Sequence, residues 1–162
     1  NKEGLMLALL ERDAAAEIAS LDDLLGLAIP ATEKLKLHIA GIINAYYRHP
    51  YMNKLIHLLL RNSSPRAASE VSRFLVKPMF EFQRRVLEDG AARGEFRKVD
   101  PVLFYTSLHG ACDQLFYNRK VMTRAVGVGE VTDEVRRSYI AHMTDFVVGG
   151  LLSRAPKAVA AA

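Results

Sequence analysis

Three residues that could carry chemistry, His109, Cys112 and Asp113, lie within about one turn of a predicted helix. Their types are those of a general base, a nucleophilic thiol and an orienting acid, so a hydrolase site is one possible use. Such a site also needs backbone donors for the oxyanion, and the amides of a mid-helix segment are already hydrogen-bonded. We therefore predict no catalytic residue and interpret His109 and Asp113 as the polar groups of an apolar pocket.

Aromatic, methionine and histidine side chains on other predicted helices could form the walls of that pocket. With His109 and Asp113, the predicted ligand-binding set comprises Tyr47, His57, Phe74, Met79, Phe82 and Phe116. For any single member, plain core packing is an equally good interpretation of its helical spacing. The expected ligand is a small, largely apolar or aromatic effector.

No metal or cofactor motif accompanies these residues. The histidines form no i,i+4 pair, and no Cys-x-x-Cys or acidic box provides metal-ligand spacing. Gly127 and Gly129 lack the strand-to-helix context of a phosphate loop. We expect neither a bound metal nor a cofactor.

The composition is that of one helical, water-compatible domain. The chain has 162 residues, 50% hydrophobic and 25% charged, which suffices for one sizeable core. No apolar run approaches the roughly 20 residues of a membrane-spanning helix, so no membrane partner is expected. Cys112 is the single cysteine, which excludes an intrachain disulfide and fits the cytoplasm. The net charge of +4 comes from scattered basic residues and argues only weakly for nucleic acid.

Apolar residues recur at the three-and-four spacing of α-helices throughout the chain, which predicts an all-α fold of about six helices. The predicted helices cover approximately 1–25, 32–49, 50–61, 65–89, 101–120 and 132–153. Ser64 and Thr132 are the predicted N-caps of the fourth and sixth helices, Thr32 can cap the second, and Pro78 should kink the fourth. The predicted domain covers 1–154, followed by a disordered tail over 155–162.

The last two long helices carry apolar residues on two sides, and a helix of this kind must be buried twice. One side can face the core of its own chain, while the other needs a second copy. We therefore predict a two-fold dimer in which these helices form a four-helix bundle. The predicted interface residues are Tyr105, Cys112, Tyr139, Met143, Phe146 and Gly150. A larger core within a monomer is the alternative.

Two short segments resemble the tetracycline-repressor (TetR) family of transcriptional regulators. The first ten residues, NKEGLMLALL, resemble the junction where the family's helix-turn-helix head joins its connecting helix, here 1–25. The segment GEFRKVDP at 94–101 resembles the link into the family's penultimate helix. The resemblance implies the effector-binding and dimerisation body of a ligand-responsive repressor, supplied without its head.

The same resemblance implies the partners of the intact protein: a second copy, a small-molecule effector and operator DNA, the last contacted only through the missing heads. Lys2 matches a lysine that touches a DNA phosphate in the family, although an ordinary exposed lysine is an equal alternative. The alternative function is a helical protein-interaction module whose pocket is filled by its own side chains.

Overall fold

A computed structural model describes residues 2–61, 64–117, 119–127 and 129–152 of the chain. The helices are α1 (Lys2–Gly26), α2 (Ala31–Arg48), α3 (Met52–Arg61), α4 (Pro65–Val71), α5 (Lys77–Ala92), α6 (Pro101–Tyr117), α7 (Arg119–Val126) and α8 (Asp133–Leu151). Within these ranges the only extended pairing is an isolated bridge between Phe96 and Leu152, and the all-α prediction is confirmed. The predicted tail at 155–162 lies outside the described residues.

Helix α2 lies at the centre of the fold and packs against α1, α5, α6 and α8. Its apolar residues belong to the larger of two core clusters, which α5, α6 and α8 complete. The smaller cluster joins α1, α3 and α4. None of the described helices has the length and apolar character that crossing a bilayer requires.

The predicted helix starts are partly correct. Ser64 caps α4 by accepting a hydrogen bond from the Ala67 amide, and Thr132 caps α8 in the same way through the Val135 amide. The second helix begins at Ala31, next to the predicted start at Thr32, but Pro30 is at its N-cap position and no local side chain caps it. The predicted fifth helix corresponds to α6 and α7, which lie on either side of residue 118, outside the described residues.

The cap of α2 comes instead from a distant residue, Glu95. Its carboxylate accepts hydrogen bonds from the amides of Ala31, at 3.1 Å, and Thr32, at 2.9 Å, and another from the Thr32 hydroxyl, at 2.9 Å. A carboxylate at this end of a helix also meets the positive end of the helix dipole. The loop that follows α5 is thereby tied to the start of α2.

The predicted kink at Pro78 takes a specific form. Proline has no amide hydrogen, and its ring clashes with the carbonyl four residues earlier in a regular helix. The chain between α4 and α5 forms a π-helical segment, Ser72–Val76, in which the Lys77 amide donates to the Ser72 carbonyl. This widened turn lies immediately before the proline. The chain therefore stays helical up to Pro78 through a π-helical turn and is not interrupted there.

We predict that Glu95→Ala lowers the free energy of unfolding by about 1–2 kcal/mol, because the first amides of α2 lose their acceptor. Chemical denaturation at fixed protein concentration measures the change. Glu33→Ala is the matched control, since Glu33 also lies in the first turn of α2 but is exposed and paired with Lys36. A loss in the control as large as in Glu95→Ala would contradict the capping role.

The contribution of Glu95 should also depend on pH. Burial by itself raises the pKa of Glu95, but the hydrogen bonds from Thr32 and Ala31 outweigh burial and hold the pKa below its ordinary 4.5. The stabilisation is therefore present above pH 4.5 and is lost as the pH falls through the lower pKa of the folded state. The difference between wild type and Glu95→Ala should shrink over that interval.

Candidate ligand pocket

A cavity of about 330 Å³ lies among α2, α3, α5, α6 and the π-helical segment. Its size falls at the lower end of the range for pockets that bind small organic molecules. The lining residues are Ile42, Ala45, Tyr46, Met52, Ile56, His57, Leu60, Leu75, Val76, Met79, Tyr105, His109, Gly110 and Asp113. Most of this surface is apolar, and the polar groups come mainly from α3 and α6.

Half of the predicted ligand-binding set lines this cavity: His57, Met79, His109 and Asp113. Histidine 57 and Asp113 come from different helices and are joined by a hydrogen bond of 2.9 Å between Nε2 and Oδ2. The His57 ring also packs against the Tyr117 ring, with 4.2 Å between centroids. These contacts connect α3 to α6 at one wall of the cavity.

The other half of the predicted set is absent from the cavity lining. Tyr47 lies beneath the Arg136 guanidinium, 5.2 Å from its ring centroid, and Phe74 packs against the smaller core cluster. Phe82 and Phe116 are buried in the larger cluster. Because Tyr47 also packs against the larger cluster, the alternative interpretation, plain core packing, describes the positions of all four residues.

A buried hydrogen-bond network connects the cavity to the core. The Nε2 atom of Gln83, which is fully buried on α5, lies 2.9 Å from Nε2 of His38 on α2 and 2.9 Å from Nε2 of His109 on α6. Burial lowers the pKa of His38 to about 3, helped by His109, and burial lowers the pKa of His109 to about 4. Both imidazoles are therefore neutral near pH 7, and each can accept one amide hydrogen of Gln83.

Two tyrosines in the lining were missing from the predicted set. Tyr46 neighbours the predicted Tyr47, and Tyr105 was assigned to the dimer interface. Burial raises the pKa of Tyr105 to about 12, while burial and the Asp113 charge raise the pKa of Tyr46. Both hydroxyls remain protonated near neutral pH and can donate hydrogen bonds to a ligand. Tyr105 could have been found from its i,i+4,i+8 spacing with His109 and Asp113.

The His109, Cys112 and Asp113 side chains do not act together. His109 is bonded to Gln83 and Asp113 to His57, while burial and the Asp113 charge raise the pKa of Cys112 to about 12. A thiol with that pKa is protonated near neutral pH and is a poor nucleophile. Over the described ranges, no group of three or more His, Cys, Asp or Glu side chains could hold a metal ion.

The predicted dimer residues separate into different environments. Cys112 and Met143 are 0% and 3% exposed and belong to the core of this chain, so they are not available to a partner. Tyr105 lines the cavity, and the Tyr139 hydroxyl donates to the Ala111 carbonyl. These residues were assigned to the outer side because a sequence pattern alone does not fix how a helix is rotated.

The outer face of α6 and α8 is nevertheless apolar. Phe146 is 69% exposed and Leu103 is 68% exposed, with Val102 and Gly150 also exposed nearby along the two helices. A groove of about 540 Å³, lined by Leu103 and Phe146 among others, lies between α6 and α8. Lys2, the predicted phosphate contact, is exposed at the start of α1.

Residues 28–157 match the family described as the tetracyclin repressor-like C-terminal domain. The chain belongs to this family. The TetR-like domain thus includes every element that lines the cavity. No curated protein sequence matches the chain significantly.

Solved structures of TetR regulators share the fold. A regulatory protein of the TetR family from Rhodococcus RHA1 is 15% identical with a TM-score of 0.74, covering 96% of this chain and 76% of that chain. A TetR/AcrR regulator from Thermobifida fusca is 18% identical with a TM-score of 0.70, covering 92% and 74%. A Bacillus subtilis transcriptional regulator solved with stearoyl-CoA is 18% identical with a TM-score of 0.69, covering 93% and 76%.

The buried histidines should make the TetR-like domain less stable as the pH falls. Both have pKa values in the folded state below the ordinary 6.5, so the unfolded chain binds more protons between pH 6.5 and about pH 4. Between pH 7 and pH 5 we expect a loss of up to about 2 kcal/mol for each histidine. Denaturant titrations at the two pH values measure this loss.

The assignment is tested by His109→Gln, which should reduce the loss between pH 7 and pH 5 by up to about 2 kcal/mol because the variant has one fewer buried imidazole. His142→Gln is the matched control, since this substitution removes an exposed histidine of α8. An unchanged pH dependence in His109→Gln would show that His109 is not the group that loses its proton on burial.

Proposed function

We propose that this TetR-like domain is the effector-sensing and dimerisation body of a ligand-responsive transcriptional repressor of the cytoplasm. The observation that carries the proposal is the cavity lined by His109 and Asp113, which has apolar walls and a few convergent polar groups. Its effector is a small, largely apolar or aromatic molecule. Operator DNA is bound by a helix-turn-helix head that lies outside this chain, and no catalytic step is assigned to the domain.

The Bacillus subtilis neighbour supports sensing as a use of this fold, since that regulator was solved with stearoyl-CoA. The cavity of about 330 Å³ in the present chain favours a smaller guest. An identity of 18% does not allow the ligand of that regulator to be assigned to this chain. We therefore infer the guest from the side chains that line the cavity.

Polar contacts on α1 offer a route from the cavity to a head. The Glu3 carboxylate accepts hydrogen bonds from the Ser64 amide at 2.6 Å and the Ser64 hydroxyl at 2.8 Å, at the start of α4. Further along α1, buried Asp13 accepts a hydrogen bond from the Tyr51 hydroxyl next to α3. Because α3 lines the cavity, a ligand that favours one position of α3 would also favour one position of α1.

The exposed apolar face of α6 and α8 supports dimerisation. Large apolar side chains such as Leu103 and Phe146 are unfavourable in water, and a second copy can cover both at once through two-fold symmetry. A helical interaction module is the second candidate function, and it rests on this same face. It requires the cavity to be filled by the chain's own side chains, which the volume near His109 does not favour.

Gly110 provides a test of the cavity that leaves the core intact. It lines the cavity on α6, and a Cβ atom added there meets no atom within 4 Å. We predict that Gly110→Leu reduces binding of tert-butylbenzene, a small apolar probe, at least about tenfold by occupying the cavity. The variant should be at least as stable as wild type, because glycine is unfavourable within a helix.

The matched control is Gly41→Leu on α2, where an added Cβ also meets nothing within 4 Å and the residue is absent from the cavity lining. It should keep the affinity for tert-butylbenzene within about twofold of wild type. Isothermal titration calorimetry measures all three proteins. An affinity of Gly110→Leu equal to that of wild type would show that tert-butylbenzene does not bind in this cavity.

Dimerisation can be tested at Phe146. We predict that Phe146→Asp raises the dimer dissociation constant at least about tenfold, because each copy would place a charge in the proposed apolar interface. Analytical ultracentrifugation measures the constant. Leu5→Asp on α1 is the matched control, since Leu5 is 72% exposed and belongs to neither α6 nor α8. A monomeric wild-type chain at high concentration would exclude this dimer.

A further inference from the structure

Within the described part of the chain, the cavity lining has an acidic side chain but no lysine or arginine. Among the described residues that line the cavity, Asp113 is the only acid, and the lining includes no lysine or arginine. The Asp113 carboxylate is hydrogen-bonded to the imidazole of His57. The described lining therefore offers an anion no lysine or arginine side chain to balance its charge.

The position of Asp113 strengthens its effect on a guest molecule. Its side chain is 18% exposed, and the surrounding walls are apolar, so water screens the carboxylate poorly. His57 contacts Oδ2, and the other carboxylate oxygen, Oδ1, has no hydrogen bond within the described part of the chain. Burial and the Asp113 charge together raise the pKa of the Tyr46 hydroxyl, which also lines the cavity.

The aromatic side chains of the lining also favour a cationic guest, as the Asp113 carboxylate does. The rings of Tyr46 and Tyr105 both border the cavity, and an aromatic face attracts a cation within about 6 Å. Apolar residues such as Ile56, Leu75 and Met79 supply the remaining walls. A guest that uses all of these surfaces has an apolar body and one cationic group.

We propose that the cavity selects a small apolar organic cation, an amine or a quaternary ammonium, with Asp113 as its counter-ion. This inference rests on the proposed sensing function and adds the charge of the effector. A carboxylate or phosphate ligand of equal size is disfavoured, because its charge would meet Asp113 without a lysine or arginine to compensate for lost hydration.

The test compares probes of matched shape on the full 162-residue chain. Phenyltrimethylammonium and tert-butylbenzene differ by one nitrogen-for-carbon exchange and one positive charge, and phenylacetate supplies a negative charge. Calorimetric titration should show the cation binding at least about tenfold more tightly than tert-butylbenzene, and phenylacetate more weakly than both.

The role of Asp113 is tested by Asp113→Asn, which keeps the side-chain shape and removes the charge. We expect this variant to lose the preference for the cation and to keep the affinity for tert-butylbenzene within about threefold. Asp145→Asn on the exposed side of α8 is the matched control and should keep the preference. The comparison of probes on the wild-type chain needs no variant and stands even if Asp113→Asn folds poorly.

The outcomes separate the two proposals. Equal binding of the cation and tert-butylbenzene, or tighter binding of phenylacetate, would overturn the cation inference while leaving a working cavity. No binding of any probe would instead overturn the sensing function on which the inference rests. Retention of the full preference in Asp113→Asn would show that another group supplies the negative charge.

Discussion

The packing of this domain depends on one buried amide. Gln83 is fully buried on α5, and a side-chain amide in such a place costs about 1–3 kcal/mol for each group left without a partner. Its Nε2 lies within hydrogen-bond distance of His38 on α2 and His109 on α6, so three helices are held in one relative arrangement, while its Oε1 has no partner within the described part of the chain. Donation from Nε2 to both rings requires neutral imidazoles with the proton on Nδ1, and burial lowers the pKa of both rings in agreement with this.

The cavity lies beside a second feature that constrains α5, the proline Pro78. Gln83 fixes the middle of α5, while Pro78, about one turn earlier, prevents a regular helix upstream and is preceded by the π-helical segment. Leu75, Val76 and Met79 lie around this irregular turn and line the cavity. A straight helix would present a different set of side chains, so the proline and the glutamine together determine which residues face a ligand.

The sequence predicts features that depend on neighbours along the chain and misses those that depend on distant contacts. Ser64 and Thr132 were correct caps because a cap is a local hydrogen bond. The start of α2 depends on Glu95, more than sixty residues later, which no local pattern contains. Gln83 was not predicted to matter, because a polar residue on an amphipathic helix is normally interpreted as exposed.

Helix α6 shows why the pocket was predicted only in part. It has three stripes rather than two: Tyr105, His109 and Asp113 line the cavity, Leu108, Cys112 and Phe116 are buried in the core, and Leu103, Phe104 and Ser107 line the outer groove. An apolar pattern on nearly all sides indicates several neighbours but not which stripe meets which neighbour. Because one helix carries both the cavity stripe and the groove stripe, a ligand that displaced the first would also displace the second. Helix α6 thus offers a second route, beside α1, between the proposed pocket and the proposed dimer face.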